Sequence, residues 1–122
     1  MDKPNLPLSN ETPRIIQEYV PGKQITLAHI IASPDESLYR KLGVVGDQRG
    51  ALAIMTITPS EGAIISADIA MKAGMVDIVF VDRFSGSLVL IGAVGAIETA
   101  VKGVITNMRD ILGFTPCPIT KT

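Results

Sequence analysis

The stretch that most constrains the fold is residues 76–113, where two short apolar runs lead straight into one long helical pattern. "VDIVFV" and "SLVLIG" are dense in β-branched and large aliphatic residues, which suit strands, and they flank the polar turn Arg83-Phe84-Ser85-Gly86-Ser87. That arrangement predicts a hairpin. Ile97, Val101, Val104, Ile105, Met108, Ile111 and Leu112 then recur at the spacing of one helix face. They predict a helix from about Val94 to Leu112, stopped by Gly113. A hairpin that runs directly into an amphipathic helix needs a sheet to receive that helix, so the fold class is α+β.

The preceding chain extends the same pattern. "KQITLAHIIA" reads as a strand, and "ALAIMTIT" as a buried one. Ser33-Pro34-Asp35-Glu36 reads as a helix start, with Ser33 as cap, Pro34 in the first helical position and Glu36 completing a capping box. That helix should end near Leu42, at Gly43. Thr58-Pro59-Ser60-Glu61 repeats the same chemistry before a second helix, which carries Ile65, Ile69 and several alanines and ends at Gly74. The tail "FTPCPITKT" holds two prolines and reads as extended. The expected architecture is a mostly antiparallel sheet with helices on one face.

Three units are expected: a flexible proline-rich arm at residues 1–13, a strand within 14–22, and a folded domain at 23–122. "RIIQEYV" alternates imperfectly, with Ile15, Gln17 and Tyr19 on one side and Ile16, Glu18 and Val20 on the other. Net charge is −1 with no basic block, which argues against nucleic-acid binding. No apolar run is long enough to span a bilayer, and the first residues lack the apolar core of a signal peptide. The lone Cys117 cannot close an internal disulfide, which fits a reducing cytosol. Aliphatic residues dominate a hydrophobic fraction of 47%, with aromatics at only 4%. So much aliphatic surface points to burial against other copies of the chain.

Candidates for chemistry are few. His29 is the single histidine and sits mid-strand, so no zinc set is available, and no metal or cofactor is expected. Cys117 reads as a plain tail residue. Gly92-Ala93-Val94-Gly95 opens a helix but lacks the spacing of a phosphate-binding loop. Asp68, Asp77 and Asp82 could form a carboxylate site, but no pair has a spacing that dictates acid/base work. No catalytic constellation emerges. Two further readings stay open: a small α+β metabolite-binding or regulatory module, and a small enzyme using Asp82 and Arg83.

The block from Ala51 to about Gly113 resembles a bacterial microcompartment (BMC) shell domain. The pieces that carry the resemblance are "ALAIMTI", "ADIAMKAGMVDI", "RFSGS" and "GAVGAIETA", in that order. In the common form of the family a further strand and helix follow the block. Here their counterpart, "HIIASPD" with its helix, precedes it, which is a circular permutation. "RIIQEYVPGKQITLAHIIASP", "MTITPSE" and "DRFSGSLVL" resemble the permuted EutS/PduU type, and the similarity covers nearly everything after residue 13.

The resemblance implies a structural protein rather than an enzyme. It would be a homo-hexameric tile that packs with other shell proteins around metabolic enzymes in the cytoplasm, retaining volatile or reactive aldehydes. Ethanolamine, propanediol and choline utilisation are all open as the pathway. The Arg83–Ser87 turn would then point at the sixfold axis, with Arg83, Phe84, Ser85, Gly86 and Ser87 lining a pore. Gly86 would allow close approach of symmetry copies, and Arg83 would add positive charge. Lys72 matches the family's edge lysine, where neighbouring hexamers dock. The arginine that flanks a comparable edge in the common form is replaced by Ser33, which puts flat tiling in doubt. Six "RIIQEYV" strands, through Ile15, Ile16, Gln17, Glu18, Tyr19 and Val20, would close a narrow barrel and occlude the pore. Gly50, at the entrance of a strand, is a possible bending position.

Overall fold

The computed structural model describes residues 22–44, 46 and 49–122. The arm at 1–13 and the barrel residues Ile15, Ile16, Gln17, Glu18, Tyr19 and Val20 lie outside the described residues.

The chain runs β1 (Gln24–Ile31), α1 (Glu36–Lys41), β2 (Ala51–Thr58), α2 (Gly62–Ala73), β3 (Asp77–Asp82), β4 (Ser87–Gly92), α3 (Val94–Leu112) and β5 (Thr120–Lys121). The strands form one sheet in the order β3-β4-β2-β1-β5. Every pairing is antiparallel except β1 with β5. The fold class expected from sequence, a mostly antiparallel α+β sheet with helices, is the one observed.

β2 and β4 sit at the centre and are buried on both faces, so they read as continuous apolar runs rather than alternating ones. Ala51, Ala53, Met55, Ile57, Leu88 and Leu90 meet the stripe Ile97, Ala100, Val101, Val104 and Met108 of α3. α2 turns small residues inward (Ala63, Ala67 and Ala70), and it packs close to α3. At that contact a Cβ on Gly103 would stand 2.6 Å from the Ala73 Cβ.

Helices do not lie on one face only. Tyr39 of α1 packs with Leu52, Val89 and Ile91, the residues of β2 and β4 that point away from α2 and α3. Central strands with two apolar faces need cover on both, and α1 supplies the second. The α1 cap also differs from expectation. Asp35, not Ser33, is the N-cap, and its carboxylate accepts from the Ser37 amide at 2.9 Å and hydroxyl at 2.8 Å. Asp35 sits two residues before Ser37, whose amide at the second helical position is one that a capping side chain reaches. At α2, Thr58 ends β2 and Glu61 is the N-cap without a side-chain bond, so the expected capping box does not form.

Ile111 was expected on the buried stripe of α3 but is 73% exposed, in the last turn of the helix. Gly113 closes α3 in the left-handed conformation at φ 73°, with the Phe114 amide donating to the Met108 carbonyl. The proline-bearing tail does more than extend. Thr115 exchanges backbone hydrogen bonds with Lys23 and Ile25, and β5 then pairs with β1 at His29 and Ile30. The tail thereby lies beside β1, the strand that precedes the rest of the sheet in sequence.

Candidate functional site

The β3–β4 register places the Arg83–Gly86 turn at one end of the sheet. Asp82 pairs with Ser87, Ser87 with Thr56, and Gln24 with Thr58, so β1 begins at this same end. Gly22 and Lys23, which lead into β1, therefore stand at the end of the sheet where the hairpin turns.

Asp82 organises the turn. One carboxylate oxygen accepts from the Phe84 amide at 2.8 Å and the Ser85 amide at 3.4 Å, and the other from the Ser85 hydroxyl at 2.9 Å. Those bonds, the Phe84 amide first, hold the carboxyl below the usual carboxylate range. The Ser85 hydroxyl also lies 3.0 Å from that of Ser87. The Gly86 amide donates to the Asp82 carbonyl, and the Ile57 amide donates to the Gly86 carbonyl. Sequence reasoning assigned the serines and arginine to this turn and named Asp82 only for a carboxylate site, not as the acid that holds the turn. The signal was available: an aspartate followed two and three residues later by free amides is a local turn builder.

Gly86 is required by its own chain. Its φ is +79°, and a Cβ there would lie 2.2 Å from the Ile57 carbonyl oxygen. The guanidinium of Arg83 stacks over the Phe84 ring, 5.0 Å from its centroid, and Phe84 is 82% exposed. A shallow depression at the tip is lined by Ile64, Val81, Asp82, Arg83 and Phe84.

The other candidates lie apart. Lys72 pairs with Asp68 one turn earlier at 2.8 Å, and both are exposed. With Ile69, Ala73 and Asn107 they line a second depression, away from the hairpin. Asp68 and Asp82 thus line different depressions, and Asp77 is at the far end of β3 from Asp82. Gly50 is wedged against the start of α3, because a Cβ there would meet the Gly92 carbonyl oxygen at 2.5 Å. The Tyr39 hydroxyl clasps it from the other side, donating to the Gly50 carbonyl at 2.6 Å and accepting from its amide at 3.1 Å. Arg49 lies over the Tyr39 ring and pairs with Glu36 at 2.7 Å. His29 places its two ring nitrogens 2.6 and 2.9 Å from the hydroxyls of Thr120 and Thr122, fastening the tail to β1. Cys117 is partly buried against the main core, and that burial pushes its thiol up. Among the described residues no group of three or more His, Cys, Asp or Glu is placed to hold a metal ion. No helix among them is long and apolar enough to cross a membrane.

Comparison with known proteins gives a consistent result. A family model described as the BMC domain matches residues 51–119. The chain is 54% identical over 111 residues to the bacterial microcompartment shell protein PduU of Salmonella typhimurium, covering 91% of this chain and 95% of that one. It is 52% identical over 109 residues to the shell protein EutS of Escherichia coli, covering 89% and 96%. The shell protein CutR of Streptococcus intermedius is 51% identical over 109 residues, with 89% and 92% covered. A CutR flat hexamer superposes with a TM-score of 0.78 at 48% identity, over 90% of this chain and 100% of that one. A CutR screw form gives the same TM-score and identity over 84% of this chain and 100% of that one.

Proposed function

Because the chain belongs to the bacterial microcompartment shell proteins, as a circularly permuted member with a structural role in the shell, we propose that it forms a homo-hexameric tile around the Arg83–Ser87 turn. The observation that carries this is the identity of 54% to a shell protein over 91% of the chain. The pattern of exposure agrees. Ile64, Phe80, Val81 and Phe84 leave apolar surface beside the hairpin, more than a lone domain needs to expose.

In this reading Arg83, Phe84, Ser85, Gly86 and Ser87 face the sixfold axis. The strand holding Ile15, Ile16, Gln17, Glu18, Tyr19 and Val20 follows from the same end of the sheet and closes a barrel over the opening, leaving it occluded. Lys72 sits at the edge where hexamers meet. The tile is not catalytic; it packs with other shell proteins around enzymes of ethanolamine, propanediol or choline utilisation and limits the escape of aldehydes. Gly50 is the position where subunits bend, since its close contact with Gly92 couples the entrance of β2 to the start of α3.

Light scattering after gel filtration tests the ring. A mass near six times the 12.9 kDa chain supports it, and a monomer or dimer at concentrations well above assembly overturns it. For Gly50, a Gly50→Val hexamer whose shape in electron micrographs matches the parent overturns the bending role.

A further inference from the structure

The donors of the hairpin tip are engaged within the turn itself. The amides of Phe84 and Ser85 and the Ser85 hydroxyl all converge on the Asp82 carboxylate, and the Ser87 hydroxyl is bonded to Ser85. Successive backbone amides with adjacent hydroxyls, beside an arginine, are the parts of an anion-binding nest. Such a nest takes a phosphate or carboxylate through charge-assisted hydrogen bonds. Here the nest is already filled, and the occupant belongs to the chain.

We propose that Asp82 is a specificity-determining residue, a built-in anion that occupies the nest at the hairpin tip and so refuses phosphorylated and carboxylate solutes there. The geometry supports this in two ways. The carboxylate uses both oxygens, one on the two amides and one on the hydroxyl, so little donor capacity is left for a second anion. Arg83, the other charge of the turn, is laid over the Phe84 ring at 5.0 Å. The tip therefore presents a guanidinium on an exposed aromatic ring, rather than a rim of free amides. Neutral solutes are tolerated by that surface, whereas a small anion meets a fixed negative charge directly behind the donors it would need. The anion exclusion is a property of a single chain. Its consequence for what approaches the opening rests on the ring reading above.

The test uses the full chain and inorganic phosphate as probe, followed by amide shifts of Phe84 and Ser85. The parent protein is expected to show no saturable shift at phosphate concentrations in the low tens of millimolar. Asp82→Ala frees the two amides and the Ser85 hydroxyl, and phosphate should then bind at the turn about tenfold or more tightly. Saturable binding by the parent, or no gain in the alanine variant with its hairpin intact, overturns the proposal. Should the alanine variant lose the hairpin, Asp82→Asn decides, because it keeps an acceptor for the Phe84 amide and removes only the charge. It should bind phosphate more tightly than the parent, and no gain overturns the proposal. The mass of the parent, read in the same samples, reports separately on the ring. A missing hexamer with the expected phosphate result would sink the ring reading and leave the anion exclusion standing.

Discussion

Gly86 and Gly43 form a matched pair that separates backbone strain from lack of space. Both lie in the left-handed region, at φ +79° and +80°. A Cβ on Gly43 meets nothing within 4 Å, whereas one on Gly86 would stand 2.2 Å from the Ile57 carbonyl oxygen and 3.2 Å from the Ser60 Cα. The left-handed conformation costs an alanine about 1–2 kcal/mol at either site. At Gly86 the obstacle is backbone in the central strand, and that carbonyl cannot swing aside as a side chain could. Moving it also strains the bond from the Ile57 amide to the Gly86 carbonyl. Overpacking of this kind adds about 1–3 kcal/mol. Gly43→Ala should therefore cost about 1–2 kcal/mol and Gly86→Ala about 2–5 kcal/mol, the sum of the two effects. For a chain of this length, 1 kcal/mol corresponds to roughly 4 °C in Tm. Thermal unfolding of both variants at one fixed protein concentration gives the comparison, since assembly makes Tm concentration-dependent. Equal losses at the two sites would refute the steric argument and leave strain alone.

Other outcomes follow from the same contacts. Tyr39→Phe keeps the ring packed but strips partners from both the amide and the carbonyl of Gly50. A loss of about 1–3 kcal/mol is expected in denaturant unfolding, and a neutral result would mean that the clasp does not hold in solution. His29→Ala removes both ties to Thr120 and Thr122, so amides of the tail should exchange about tenfold or more faster, with β4 unaffected. Unchanged exchange would show that backbone pairing alone holds the tail. Stability should also fall in acid. Asp82 and Asp35, held by hydrogen bonds within their turns, and Glu98, held first by its bond to Lys121, all have lowered folded-state values. Their contribution is complete above the unfolded carboxylate range, about pH 4, and is lost as pH falls through the lower folded values. A Tm that stays level from about pH 5 to about pH 3 would contradict that sign.

What the sequence disclosed, and what it withheld, follows from the range of the forces involved. The hairpin, the extent of α3 and its stop at Gly113 were legible because each is written in neighbouring residues: a polar turn between apolar runs, a periodic stripe, a glycine at the right place. The face on which α1 packs was not. "ALAIM" is apolar throughout, and a run without alternation says that both faces are covered without naming what covers the second. Tyr39 does so only because β1 brings α1 back across Leu52 and Ile91, a long-range consequence of strand order. Ile111 keeps the period of the buried stripe yet is exposed, since periodicity fixes the direction of a side chain and not the extent of its neighbour. The tail's pairing was hidden for a related reason. Two prolines remove amide donors, but Thr115, Thr120 and Thr122 still engage β1, and His29 supplies the hydroxyl partners that make a two-residue strand hold.

The hairpin tip shows the same division within a few residues. Composition placed serines, an arginine and a glycine at a turn, and the natural inference was that those polar groups are offered outward. The Phe84 and Ser85 amides and the Ser85 hydroxyl are instead engaged by Asp82 within the turn, because an ionised carboxylate within reach outcompetes water for amide and hydroxyl donors. Gly86 was expected to allow the tight turn, which its φ of +79° does, and the side on which a Cβ would stand is taken by the Ile57 carbonyl of its own chain. A turn in this setting is specified by what lies beneath it, so its outer surface is what remains after the inner contacts are satisfied. At this tip the remainder is Arg83 and the Phe84 ring, and substitutions aimed at altering its outer surface should start with those groups rather than with the serines.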